Sequence, residues 1–242
     1  MDQKQRGRME MAGLRHLSLH STYHTRDLGG YRAAGGGITR WGWLFRSDMP
    51  QGMDDADRAV LAQAGLRTVI DLRTAAQVRA QPSEFSTLAG VRYWNCPFAH
   101  GNRDPAHAEE MPDITMEMLD DRANVARVMR LILQSPGPTL FHCVAGKDRT
   151  GIVAALLLRE AGVSQADVIA DYAMSYAYVM PMVRALRMQP PGKPPWYGRS
   201  DPETMEEILR RVGDADAYLE KCGLSAEERV GLRHCLCPDK LF

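Results

Sequence analysis

No stretch of this sequence approaches the roughly 18 uninterrupted apolar residues that a membrane-crossing helix needs, which argues against an integral membrane segment. Its opening residues, MDQKQRGRMEMAG, are charged and lack the apolar centre of a cleavable signal peptide. Neither sign of charge dominates: 30 basic and 30 acidic residues cancel, with no long block of either, so nothing suggests a nucleic-acid footprint. Cysteine is sparse. Cys96, Cys143, Cys222, Cys235 and Cys237 have no zinc-ligand spacing and are an odd number, which speaks against a metal centre and against a disulfide framework. The expectation is a protein of a reducing, cytoplasmic interior without metal or cofactor, with export by a route lacking a cleavable signal left open. Internal repeats are absent, and no break in composition marks a second domain.

What is present is a chain of 242 residues, 45% hydrophobic, long enough for a substantial core. It is organised around Pro138 to Glu160, PTLFHCVAGKDRTGIVAALLLRE. A short apolar run ends in His142 and Cys143, a loop of small residues follows, and Ile152 to Leu158 carry an uninterrupted helical pattern. This reads as strand, tight loop, helix. A loop curled over a helix N-terminus points several amides at one spot, and the helix dipole adds partial positive charge. Val144, Ala145, Gly146, Lys147, Asp148 and Arg149 would form that anion cup. Cys143 lies at its base, where the same field favours the nucleophilic thiolate. Arg149 can grip two phosphoryl oxygens with a planar fork that lysine lacks, and Thr150 can hydrogen-bond the sulfur.

His-Cys, five residues, then Arg-Thr-Gly resembles the signature of the cysteine-dependent protein tyrosine phosphatases. Rhodanese-type sulfurtransferases use a shorter cysteine loop without this ending. Three further motifs precede the loop: Arg26-Asp27-Leu28-Gly29-Gly30, the run ending Phe45-Arg46-Ser47-Asp48, and Leu66 to Thr74. Together with the loop they resemble the atypical bacterial tyrosine and lipid phosphatases. Two departures stand out: His24-Thr25 where the family often has Asn-Phe, and Gln77 where a Glu is usual. Strands alternating with helices predict one α/β domain over residues 21–242, after an arm at 1–20, with a mostly parallel central sheet and a helical C-terminal layer, and the resemblance implies that helices of this layer serve as a lid. It also implies a metal-independent phosphatase acting on phosphorylated proteins or phosphoinositides, the latter because a Lys-Asp-Arg loop accompanies broad activity in the family; Lys147 would then meet a second phosphate or else sit solvated at the rim. A redox or sulfur-transfer enzyme and a silent phosphate-binding module remain as alternatives of other classes.

Along the chain, helices are expected at Asp55 to Ala64, Ile114 to Leu133, from Ser164 with a kink or break at Pro181, from Pro202 to Val212, from Ala215 to Lys221, and after the Ser225 cap. Strands are expected to end at Arg46 and Leu72 and to span Val91 to Cys96. Arg26, Asp27, Arg46, Asp48, Asp71 and Arg73 either brace loops at strand ends or touch substrate. The general acid is assigned to Asp148, because a phosphoryl dianion held by Arg149 would favour a protonated neighbour; the alternative is a salt bridge to Arg149, with His100 or Asp104 then supplying the proton.

Overall fold

The computed structural model describes residues 15–98, 111–185 and 199–238. Five strands form one sheet: β1 (Arg26–Asp27), β2 (Leu44–Ser47), β3 (Thr68–Asp71), β4 (Arg92–Asn95) and β5 (Thr139–His142). Their spatial order is β1-β2-β5-β3-β4, with β1 antiparallel to β2 and every other pairing parallel. Side chains alternate across a strand, and here both faces are covered. Leu44, Ile70 and Phe141 enter the larger core, whereas Phe45, Val69 and Leu140 enter the smaller one. That is why β2, β3 and β5 each carry two adjacent apolar residues, Leu44-Phe45, Val69-Ile70 and Leu140-Phe141, rather than alternating apolar with polar.

The helices are α1 (Asp55–Gln63), α2 (Ala75–Ala80), α3 (Met111–Asp120), α4 (Arg122–Leu133), α5 (Asp148–Glu160), α6 (Gln165–Ala185), α7 (Pro202–Val212), α8 (Ala215–Lys221) and α9 (Ala226–Leu236). α5 is apolar around its whole circumference and is buried from Ile152 to Leu158. α3, α4, α7, α8 and α9 contribute to the same core, which makes the expected helical C-terminal layer. The expected long helix over Ile114 to Leu133 is instead two. Asp121 ends the first and caps the second, its carboxylate accepting the Asn124 amide at 3.2 Å, a local bond that competes with helix continuation. Leu119, Val125, Val128, Met129 and Ile132 are buried as expected. Pro181 does not break α6, which runs on to Ala185. Of the expected arm, residues 15–20 lie against the sheet edge: His16 bridges Arg26, and Leu17 and Leu19 join the smaller core.

The register places Ser47, His142 and Asp71 side by side at the carboxyl ends of β2, β5 and β3. Ligands of open α/β sheets bind beyond such ends, and the loop after β5 starts there.

Candidate active site

Residues 143–147 link β5 to α5, and the scaffold holds each of their carbonyls. The Cys143 carbonyl accepts from His142 Nδ1 at 2.9 Å, Val144 from the Met49 amide at 3.0 Å, and Ala145 from His24 Nδ1 at 3.0 Å. Gly146 accepts from Arg46 Nη2 at 2.7 Å, and Lys147 from the same nitrogen at 3.3 Å and from the Gly151 amide at 2.7 Å. In a planar trans peptide the carbonyl and the next amide point oppositely. Pinning these carbonyls outward therefore turns the following amides inward. Among the described residues, the amides of Val144, Ala145, Gly146 and Lys147 donate to no protein acceptor. Gly146 is required twice: its φ is +65°, and a Cβ there would lie 2.5 Å from the Ser47 carbonyl oxygen.

The imidazoles that hold the loop are neutral donors. Nδ1 of His142 faces a carbonyl, which only accepts, so that nitrogen carries the proton and Nε2 is left to accept from Ser83 Oγ at 3.3 Å. Burial lowers His142 against the opposing pull of Asp71. His24 falls further, through burial and then through Arg26 and Arg46.

Arg46 is held in turn. Its Nη1 donates to Asp171 of α6 at 2.6 Å, and Arg26 Nε reaches the same carboxylate at 3.1 Å. Tyr31 donates a third bond at 2.8 Å. All four groups are buried. Burial and Arg26 lower the Arg46 guanidinium to about 10, so it stays charged at neutrality. For Asp171 burial alone would favour the neutral acid, but Arg26 and Arg46 overcome it and hold the carboxyl far below its usual range. Asp171 was not singled out from sequence. The available signal was a single charged residue between Val168 and Val183, in a stretch otherwise apolar and aromatic but for Ser175.

The remaining expected residues divide clearly. Asp71 and Arg73 form a buried pair, Nη2 to Oδ2 at 2.6 Å, which Tyr93 joins at 2.6 Å. Asp27 accepts the Gly29 and Gly42 amides at 2.8 and 2.6 Å, and Asp48 those of Tyr23 and His24, both at 3.0 Å. For all of these, Arg26 and Arg46 included, the contacts are those of bracing groups. His100 and Asp104 lie outside the described residues.

Inside the loop, Cys143 is buried and Thr150 fully so, with Thr150 Oγ1 lacking a hydrogen-bond partner among the described residues; the expected bond to the sulfur is not made. Lys147 is buried rather than solvated at the rim, its Nζ donating to Asp148 Oδ1 and to the Arg199 carbonyl, each at 2.7 Å. Tyr172 donates to the same Asp148 oxygen at 3.0 Å. Asp148 thus pairs with Lys147, while Arg149 Nη1 donates to Gln77 Oε1 at 2.9 Å.

A cysteine under inward-facing amides at a helix N-terminus, followed by an arginine, is a device for binding an oxyanion against a nucleophile. Proteins similar in sequence carry names that fit such a device. A Cupriavidus necator protein named as a putative tyrosine-protein phosphatase is 34% identical over 176 residues, and the match takes in 66% of this chain and 63% of that one. A tyrosine-protein phosphatase of Nostoc commune is 30% identical over 73% of this chain and 68% of its own. The triple specificity protein phosphatase PtpB of Mycobacterium tuberculosis is 30% identical over 60% and 65%. The chain thus spans about two-thirds of the curated relatives it matches. A family model described as the tyrosine phosphatase family matches residues 17–238, which include the cup and nearly everything that braces it, and the chain belongs to that family.

Proposed function

We propose that this protein is a metal-independent phosphatase that hydrolyses phosphomonoesters through a cysteinyl-phosphate. The observation that carries the reading is the outward pinning of the five carbonyls from Cys143 to Lys147, which aims the amides at one point above the nucleophile. Cys143 Sγ attacks phosphorus; the P–S bond forms as the P–O bond to the leaving alcohol breaks, and Asp148 gives that oxygen its proton. Water then attacks phosphorus, the P–S bond breaks, and Asp148 recovers a proton from the water as inorganic phosphate leaves. Arg149 and the amides hold the equatorial oxygens throughout. Two donors on Asp148 Oδ1 orient its carboxyl and leave Oδ2 to carry the transferable proton.

The test is hydrolysis of para-nitrophenyl phosphate and a phosphotyrosine peptide, with and without a chelator. Chelator-insensitive turnover is expected in the parent, with none in Cys143→Ser, which should still bind vanadate because the backbone and Arg149 make the cup. Arg149→Lys should fail as well. Turnover retained by Cys143→Ser overturns the covalent mechanism.

The substrate range proposed is phosphotyrosine, with phosphoserine, phosphothreonine and phosphoinositides. Triple specificity in the name of the mycobacterial relative supports breadth. A preference for phosphoinositides is the second reading, favoured by Lys147, a second cation of the loop whose ammonium keeps one of its three donors beyond those given to Asp148 and Arg199. Lys147→Ala should then reduce hydrolysis of a polyphosphorylated inositol lipid far more than that of the peptide; equal losses would mean that Lys147 only orients Asp148.

A further inference from the structure

Four arginines surround the loop, and three of them face carboxylates. Arg26 and Arg46 share Asp171, and Arg73 is paired with Asp71. Arg149 differs. Among the described residues its partner is a neutral amide oxygen, Gln77 Oε1, at 2.9 Å. That oxygen is itself fixed, since it also accepts the Thr74 amide at 3.1 Å while Thr74 Oγ1 accepts the Gln77 amide at 3.2 Å. The two bonds are the capping box that opens α2. One oxygen therefore ties the start of a helix to the arginine of the phosphate loop, without lending it negative charge.

We infer that Gln77 is a positioning and specificity-determining residue: it orients Arg149 through a hydrogen bond while leaving the guanidinium charge whole for the phosphoryl group. The inference rests on the reading of the loop as a phosphate site. A glutamate in its place would make the same capping box and the same bond to Arg149, because Ser/Thr-x-x-Glu and Ser/Thr-x-x-Gln cap alike. It would add one negative charge at the point where a phosphate dianion must bind. A glutamine here raises the net positive charge of the cup by one relative to that alternative, favouring substrates and products that carry two negative charges at the bound group.

Gln77→Glu separates charge from geometry, because the helix cap is retained. Binding of inorganic phosphate, followed by calorimetry, is expected to weaken by on the order of tenfold or more at pH 7.5. The gap from the parent should narrow as the pH is lowered to 5, where phosphate is the monoanion and the introduced carboxylate repels it less. In turnover of para-nitrophenyl phosphate, KM should rise by more than kcat changes. Gln77→Ala, which removes the bond without adding charge, should show no such pH-dependent gap. Thermal melting checks that Gln77→Glu folds as the parent does. Phosphate binding by Gln77→Glu equal to the parent's at pH 7.5, or weaker by a factor that does not change with pH, overturns the inference. A parent that binds phosphate but turns nothing over would sink the hydrolase reading while the binding series still decides the role of Gln77. A parent that does not bind phosphate overturns both.

Discussion

Asp148 concentrates the chemistry that depends on one side chain. Its Oδ1 is held by Lys147 from the preceding position and by Tyr172 from across the site, so the carboxyl can swing little. If it protonates the leaving oxygen, the cost of removing it must depend on how much that oxygen needs a proton. Asp148→Asn is accordingly expected to slow alkyl phosphates by about 100-fold or more, within the usual range for general acids, and to slow activated aryl phosphates far less. Rates across a series of leaving groups measure this. A uniform loss in Asp148→Asn, with the selective loss appearing in His100→Ala or Asp104→Asn, would move the acid to the segment after β4. The proposed nucleophile, arginine and acid could all be proposed from sequence because they lie within seven consecutive positions, Cys143 to Arg149. Asp171 could not. Its partners Arg26 and Arg46 are 145 and 125 positions away, and a pair that distant leaves no local pattern.

Among elements, α6 and α5 carry the couplings that matter most. α6 reaches the phosphate loop directly through Tyr172 on Asp148, and indirectly through Asp171 to Arg46 and from Arg46 to the Gly146 carbonyl. Asp171→Asn would leave two buried guanidinium groups without their shared charge. A loss of about 3–5 kcal/mol is expected, read from the urea midpoint at constant m-value; an unchanged midpoint would show that the clamp is not structural. Gly151 allows α6 its close approach, since a Cβ there would lie 2.9 Å from the Tyr172 ring. At the far end of α5, buried Glu160 pairs with Arg233 of α9 through Oε1 while Oε2 has no partner among the described residues. Burial pushes its carboxyl up to about 7 despite Arg233. A folded value above the unfolded one means the native chain binds the extra proton. The stability this adds is full below about 4.5 and is lost as pH rises through about 7. Other titrating groups cancel when the parent is compared with Glu160→Gln. The parent's stability relative to that variant should fall by about 3 kcal/mol between pH 4.5 and pH 8, measured by denaturant melts; a flat difference would refute the assignment. Helix positions were legible because caps such as Ser225 and Asp201-Pro202 are local. The split at Asp121 was not, since Leu119 and Val125 keep to one buried side across it.

At the scale of the whole molecule, the parallel sheet was expected from strands alternating with helices, but its order was not, because order depends on which distant strands pair. That order has a consequence in time. The central strand, β5, is the last of the five in the chain, and both β2 and β3 pair with it. Until it exists, β1 with β2 and β3 with β4 are separate pairs whose inner edges have no neighbour. Joining them closes long loops before any contact rewards it, which slows folding. Leu140→Ala should therefore slow refolding, whereas Leu219→Ala, on the buried side of α8, should mainly speed unfolding. Stopped-flow chevrons distinguish the two, and an unaltered folding arm for Leu140→Ala would count against this order of events. A nascent chain that ends short of residue 139 has the residues of both outer strand pairs but not of the strand between them. The next four residues, Thr139–His142, join them, and the chain passes from that seam directly into the phosphate loop.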